Sequence, residues 1–489
     1  MRTGQRIAQN SLFLLLARLG SAGMNFLILS LLARYLSRDD FGRYQFILAF
    51  VTIFQFVMDF GFSSILVREA AVNKPQARRV FGVLQAMMGA TSLVAFVAMV
   101  AYARWRTHYP QETVSITLAA AATIFFMQCN LTNAIFRAFE KLEWEAVTVL
   151  ASRVFDLVGT LIVIKTDAGV PGIFTVYLVS QAVHYLLSLT ICGVKFVRPA
   201  FVVDFDLMKS LFLAAAPLGV AQIFRRVSWQ VDVMLLEAMV GLQFVALFSG
   251  AYRIVWGLMI LPNALGASLF PVLSNLAQSS PQRLLNAYER TLKYLIVLGL
   301  FIAVVGTLAA EPIVRLLLGH KYVGAKFAGS VLALQIVIWA VVFIFPSAVF
   351  GYVFTALHRQ KLFTVCSAAC LGINIALDLL LIPRWQHIGA CVGTVTAEMV
   401  LFALGAFYLA RFVGTVSWSQ VAFKPLLAAA VMGAQLYFFR DAPPMVLPIA
   451  LIGAGAVYAL MLLMLGTFTA DELALWSRRK PKQPTGDEA

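Results

Sequence analysis

Apolar runs of about 20 residues recur along the whole chain, and each ends in a short stretch of charge, proline or glycine. A helix of that length crosses the roughly 30 Å hydrocarbon core of a bilayer. The runs begin near Ser11, Tyr44, Phe81, Thr113, Val147, Pro171, Leu211, Gly241, Leu292, Ala328, Phe363, Ile388, Lys424 and Pro443. They predict an all-α polytopic membrane protein of about fourteen transmembrane helices, whose even number puts both termini on one side. The first run, from about Ser11 to Ala33, is too long for the apolar core of a cleavable signal peptide and lacks a cleavage signature, so it reads as a span.

Composition agrees and adds orientation. Of 489 residues, 61% are hydrophobic and only 12% charged, about half the charge that a soluble chain carries to solvate its surface. The formal net charge of +15 comes mainly from short connections between apolar runs. No long basic tract with interleaved aromatics appears, which excludes nucleic acid as a partner. With a cytoplasmic N-terminus, Lys and Arg in the inner connections outnumber those in the outer ones by about two to one. Arg34, Arg38, Arg43, Arg315 and Lys321 then fall on the outer side, and both termini face the cytoplasm of a cell inner membrane. The inner connections Phe136–Val147 and Pro271–Tyr294 mix charge with apolar residues and predict short interfacial helices, with Trp144 and Tyr288 at headgroup depth. The basic tail after Trp476 predicts a disordered segment in reach of anionic lipid.

Ser11–Gly20 reads SLFLLLARLG and Ser210–Gly219 reads SLFLAAAPLG, identical at seven of ten positions. The match falls where the cytoplasmic stretch Lys195–Lys209 divides six spans from the next six. Duplicated halves with substrate between them are a common transporter plan. The expected organisation is therefore an N-lobe over 1–200 (helices one to six), a C-lobe over 201–415 (helices seven to twelve), two further helices over 416–470, and a basic tail over 471–489.

Ionisable side chains inside a span are costly and face a cavity or another helix by default. Arg18 lies about 12 Å along the first span, with Asn25 at i+7 on the same face. In the seventh span Gln222, Arg225, Trp229 and Asp232 recur at helical steps beside Arg226, and the eighth carries Arg253 between Tyr252 and Trp256. Arginine keeps its charge in any environment and presents a planar fork of donors to phosphate oxygens. Arg18, Arg225, Arg226 and Arg253 are thus candidates to bind the diphosphate of a lipid-linked sugar, with Asn25, Trp229 and Trp256 offering polar and aromatic surface. The competing explanation is that each arginine pairs with a nearby acid, as Arg225 could with Asp232. Arg153 and Asp156, at i and i+3, most simply neutralise each other. Asp59, in a polar stripe with Thr52 and Gln55, and Asp232 are candidate sites for a coupling proton or sodium ion. Asn374, Asp378 and Glu398 read first as hydrogen bonding between the eleventh and twelfth helices, with ion coupling as the alternative.

Nothing points to catalysis. There is no GxxxxGK[ST] segment for nucleotide, no connection long enough for a catalytic domain, and no HExxH or comparable metal partner for any histidine. Cys366 and Cys370 sit one helical turn apart without His or carboxylate beside them, so they read as small apolar filler. No metal, cofactor or catalytic residue is expected.

Three stretches resemble the polysaccharide flippase branch of the multidrug/oligosaccharidyl-lipid/polysaccharide exporter superfamily. The first is LLARYLSRDDFGRYQFILAF after the N-terminal span. The second is Val231–Asn275, with Asp232, Gly241, Tyr252, Pro262 and the Phe270–Pro271–Val272–Leu273–Ser274 ending. The third is Ala356–Glu398, with Arg359, Gln360 and Lys361, then Asn374, Leu377, the Leu381–Ile382–Pro383 stop and Gly389–Ala390. The resemblance covers nearly the whole chain, in order. It implies a two-lobed, alternating-access transporter, similar in fold to the multidrug exporters, that acts on undecaprenyl-diphosphate glycans alongside a polysaccharide polymerase and glycosyltransferases. Arginines in helices one and eight line the cavity of such flippases, which fits Arg18 and Arg253; the Arg225–Arg226 pair is not a fixed feature of the family. A peptidoglycan-precursor flippase and a cation-coupled multidrug antiporter of the same superfamily are the alternatives, and the excess of arginine over acid favours an anionic ligand.

Overall fold

A computed structural model of the chain describes residues 20–106, 110–198, 202–324, 329–439, 446–468 and 472. Among the described residues all regular structure is helical. In chain order the helices are α1 (residues 20–35), α2 (Arg38–Asp59), α3 (Phe62–Val72), α4 (Ala77–Arg106), α5 (Pro110–Ala138), α6 (Leu142–Thr166), α7 (Gly169–Lys195), α8 (Phe205–Val240) and α9 (Leu242–Gly257). They continue as α10 (Ile260–Ser279), α11 (Pro281–Leu308), α12 (Ala310–Leu317), α13 (Ser330–Val337), α14 (Ala340–Ala356), α15 (Gln360–Phe412), α16 (Lys424–Phe438) and α17 (Leu447–Met464). Nine helical segments among the described residues are long and apolar enough to cross a membrane. They become ten if α13 and α14, bent by 43° at their junction, form one broken span.

Helix ends follow local chemistry. Asp204 accepts a hydrogen bond from the Leu207 amide at 3.1 Å and starts α8. Ser280 caps α11 ahead of Pro281, whose missing N–H costs nothing in a first turn. Asp167 adopts a left-handed conformation (φ 51°) at the end of α6. The connections expected to hold interfacial helices do not: α5 runs to Ala138 and α6 starts at Leu142, and only Ser280 separates α10 from α11. A left-handed Glu140 (φ 57°) closes the first of these as a tight turn, leaving no room for a separate helix. Trp144 instead packs beneath Lys195, whose Nζ lies 3.7 Å from the ring centroid.

α15 is a 53-residue helical run whose backbone breaks at Gln386 (φ 53°, ψ −133°). Pro383, which reads as a stop in the sequence, lies inside the run, so the chain turns three residues later than expected. The left-handed φ at a residue with a Cβ costs about 1–3 kcal/mol. Each part is long enough to cross a bilayer at 1.5 Å per residue.

The chain divides into two compact units that do not follow its order. One comprises Met1–Gly257, Ile313–Ala333 and Thr364–Ala397; the other comprises Leu258–Pro312, Leu334–Phe363 and Glu398–Ala489. In the first, α2 packs on α8 and α9, while α5 packs on α4 and α7. Gly42 of α2 meets α9 so closely that an added Cβ would sit 1.9 Å from the Leu242 carbonyl oxygen; only glycine fits there. In the second, α11 packs on α14 and α16. Phe350 stacks with Phe402 at 5.7 Å between centroids, and Lys293 donates to Glu472 at 2.7 Å. The five cysteines are buried and unbridged.

Candidate functional site

Two polar groupings inside the membrane helices of the first unit stand out. The first is built by the glycine-permitted crossing of α2 and α9. It brings Gln45 to Arg253, whose Nη2 donates to Oε1 at 3.1 Å across 208 residues of sequence. Tyr44 and Tyr252 lie near enough to act on the guanidinium electrostatically. Arg253 forms no ion pair with a carboxylate among the described residues. An amide can orient a guanidinium but leaves its charge in place, and a net cation in an apolar helix layer favours any anion that reaches it.

The second grouping is acidic. Asp232 of α8 is buried, at 1% exposure. Asn374 and Asp378 from the first part of α15 face it, and Thr394 from beyond the Gln386 break donates its hydroxyl to Asp232 Oδ2 at 2.9 Å. Gly393 makes room: a Cβ there would stand 2.6 Å from Asp378 Oδ1. With both acids ionised, Asp232 Oδ1, both Asp378 carboxylate oxygens and Asn374 Oδ1 accept no hydrogen bond. Two facing carboxylates in an apolar interior cannot both stay charged unless a proton or a cation is shared between them. The arrangement of carboxylate, amide and hydroxyl oxygens fits a hard monovalent cation as well as a proton.

The remaining expected residues are dispersed. Asn25 of α1 is exposed, and Trp256 of α9 is 46% exposed. Asp59 ends α2 and stitches the α2–α3 break, accepting from the Ser63 hydroxyl at 2.8 Å and the Ser63 amide at 3.2 Å. Its polar stripe divides: Gln55 donates to Thr123 at 3.4 Å, and the Thr52 hydroxyl donates to the Leu48 carbonyl at 2.6 Å. Arg153 and Asp156 pair at 2.9 Å, as their spacing predicts. Arg18 lies outside the described residues. So do the side chains of Arg225, Arg226 and Trp229, whose backbone belongs to α8. Sequence reasoning missed Gln45 and the convergence of Thr394, Asn374 and Asp378 on Asp232. The only sequence signal for that convergence was two polar spans far apart in the chain.

Apolar helices long enough to cross a membrane, with polar groups buried among them, fit a membrane transporter. Comparison with known proteins makes the class specific. The model of the polysaccharide biosynthesis protein family matches residues 7–277, and that of the MatE family matches residues 217–380. The chain belongs to the polysaccharide biosynthesis protein family, within the multidrug/oligosaccharidyl-lipid/polysaccharide exporter superfamily. It is 20% identical over 438 residues to a probable low-salt glycan biosynthesis flippase of Haloferax volcanii, covering 89% of this chain and 90% of that protein. It is 24% identical over 395 residues to a putative O-antigen transporter of Shigella flexneri, covering 74% of this chain and 88% of that one. Among solved structures it resembles the lipid II flippase MurJ in an inward closed conformation, with TM-score 0.74 and 15% identity over 93% of this chain and 98% of that one. That likeness establishes the fold.

Proposed function

We propose that the protein flips a polyprenyl-diphosphate-linked oligosaccharide from the inner to the outer leaflet of the cytoplasmic membrane for cell-surface polysaccharide synthesis. The observation that carries this reading is Arg253, an arginine in a membrane helix tied to a neutral amide, in a chain of the polysaccharide biosynthesis protein family. The glycan and O-antigen names of two relatives support it. Fourteen helices then form two six-helix lobes (1–200 and 201–415), an added pair (416–470) and a basic tail (471–489), with both termini cytoplasmic. Arg18, Arg225 and Arg226 join Arg253 along the diphosphate path, and Asn25, Trp229 and Trp256 contact sugar or prenyl carbons. The lobes rock about the bound headgroup. An inside-negative potential aids outward movement of the anionic head by about 2.3 kcal/mol per charge per 100 mV. A proton or sodium ion couples at Asp232, which Asp378 and Thr394 favour over Asp59. The polymerase and glycosyltransferases of the same synthesis are the partners.

The test is flipping of labelled undecaprenyl-diphosphate oligosaccharide in proteoliposomes by the wild type, Arg18→Ala and Arg253→Ala, after insertion and folding of each are checked. Loss in both variants is the expected result. Unimpaired flipping in both makes these arginines structural. Transport of a peptidoglycan lipid precursor or a cationic drug in place of every glycan tried replaces the substrate assignment.

A further inference from the structure

A third polar feature lies in the same unit, where the end of α1 meets the loop after α12, a region that the charge map turns outward. Arg34, Arg315, Leu318, Gly319, His320 and Lys321 line a cavity of about 330 Å³. Its walls are clasped by reciprocal hydrogen bonds between cations and carbonyls. Arg34 donates to the Leu316 carbonyl oxygen at the C-terminal end of α12, and Arg38 donates to the Lys321 carbonyl oxygen. Lys321 returns the contact, donating to the carbonyls of Arg34 (3.2 Å) and Leu36. Gly319 has φ 96°, a conformation open to glycine, and a Cβ on it would stand 3.4 Å from Arg34 Cγ. The turn thus sets the loop against the end of α1.

The clasp satisfies donors without cancelling charge. Arg34, Arg38 and Lys321 form no ion pair with a carboxylate among the described residues. Burial, and then the charge of Arg38, pull the Lys321 ammonium below its ordinary pKa, the mark of a cation held where it lacks a counter-charge. The cavity lining contains no carboxylate. Its volume is at the lower end of small-ligand sites, about 300–1,000 Å³, which suits a phosphate or diphosphate with water and is too small for an oligosaccharide.

We propose that this cavity is a second anion site, which binds the phosphate or diphosphate of a lipid headgroup at the outer surface. Its outward placement rests on the flippase reading; its chemistry does not. A departing polyprenyl diphosphate and an ordinary acidic phospholipid share that oxyanion chemistry, and bidentate guanidinium and ammonium donors serve both.

Full-length protein in detergent is titrated calorimetrically with inorganic pyrophosphate, comparing wild type with Lys321→Met, Lys321→Arg and His320→Glu. Binding weaker by about tenfold or more in Lys321→Met and His320→Glu, and retained in Lys321→Arg, is expected from loss of charge-assisted contacts. His320 is exposed, so His320→Glu places a carboxylate in the cavity without touching the clasp and carries the test alone if Lys321→Met fails to fold. Equal affinity in wild type and His320→Glu, or no binding by wild type, overturns the proposal. Native mass spectrometry with undecaprenyl diphosphate and phosphatidylglycerol supplied together separates the sources. The lipid retained by wild type and lost by His320→Glu is the ligand, and retention of neither overturns the lipid assignment. Because neither readout requires flipping, a protein that binds here yet flips no glycan sinks the flippase reading alone.

Discussion

Arg153 and Arg253 are both arginines in membrane helices of one compact unit, and they differ in what answers their charge. Arg153 has Asp156 one turn away at 2.9 Å. Arg253 has Gln45, a neutral partner from a helix 208 residues distant. The first pair is electrically closed and belongs to the architecture. The second is oriented but open, and its unspent charge is available to a ligand. Cost inside a membrane therefore does not by itself mark function; the sign and charge of the partner do.

The contrast can be broken most sharply at its closed member. Asp156→Ala strands Arg153, and loss of one partner from a buried pair costs about 3–5 kcal/mol. A large fall in the thermal unfolding midpoint in detergent is expected, against a small one for Arg253→Ala. Equal stability of Asp156→Ala and wild type would erase the distinction. The open member is probed next, by transport. Arg253→Lys keeps the charge and loses the planar fork, a loss of about 1.5–3 kcal/mol of charge-assisted bonding to a phosphate. Flipping should fall by about tenfold or more while the unfolding midpoint stays near wild type; full activity would reduce Arg253 to a point charge.

The acidic grouping mirrors Arg253 with the sign reversed, and sodium sharpens it. In wild type, sodium in place of choline should raise the unfolding midpoint, by about 1.4 kcal/mol at a tenfold excess over Kd, and Asp378→Asn should abolish the difference. Identical sodium responses in the two proteins would remove the cation from that site and leave the proton. The smallest effect is at a closed pair outside the membrane. Asp204 is held below the usual carboxylate range first by the Leu207 amide and then by Arg79. Its folded pKa lies below the unfolded value, so its contribution is full above the unfolded range and fades as pH falls through the folded one. Arg79 is 67% exposed and solvent screens the pair. Acidification should therefore lower the unfolding midpoint slightly more in wild type than in Asp204→Ala, and matching pH profiles would remove this aspartate from the account.

The sequence was informative where physics is local. Lipid demands apolar runs, so the helical class was plain from composition and spacing, and the i, i+3 spacing of Arg153 and Asp156 gave their pairing directly. Arg253 could be singled out as a charge in mid-span, but Gln45 could not, because helix crossings depend on Gly42 meeting the Leu242 backbone rather than on any linear pattern. Asp378 read first as hydrogen bonding between the eleventh and twelfth helices, and its approach to Asp232 required α8 and α15 to be placed together. Pro383 misled for a related reason. A proline removes one hydrogen bond from a helix, and packing carried the run past it to Gln386.

That break has a mechanical meaning. Asp378 lies on one side of Gln386 and Thr394 on the other, and both address Asp232. An ion or proton seated among them would be a splint across a joint. With it in place the two arms of α15 would be held at one angle, and its departure would free them. Occupancy of such a site would then set the stiffness of the longest helical run among the described residues.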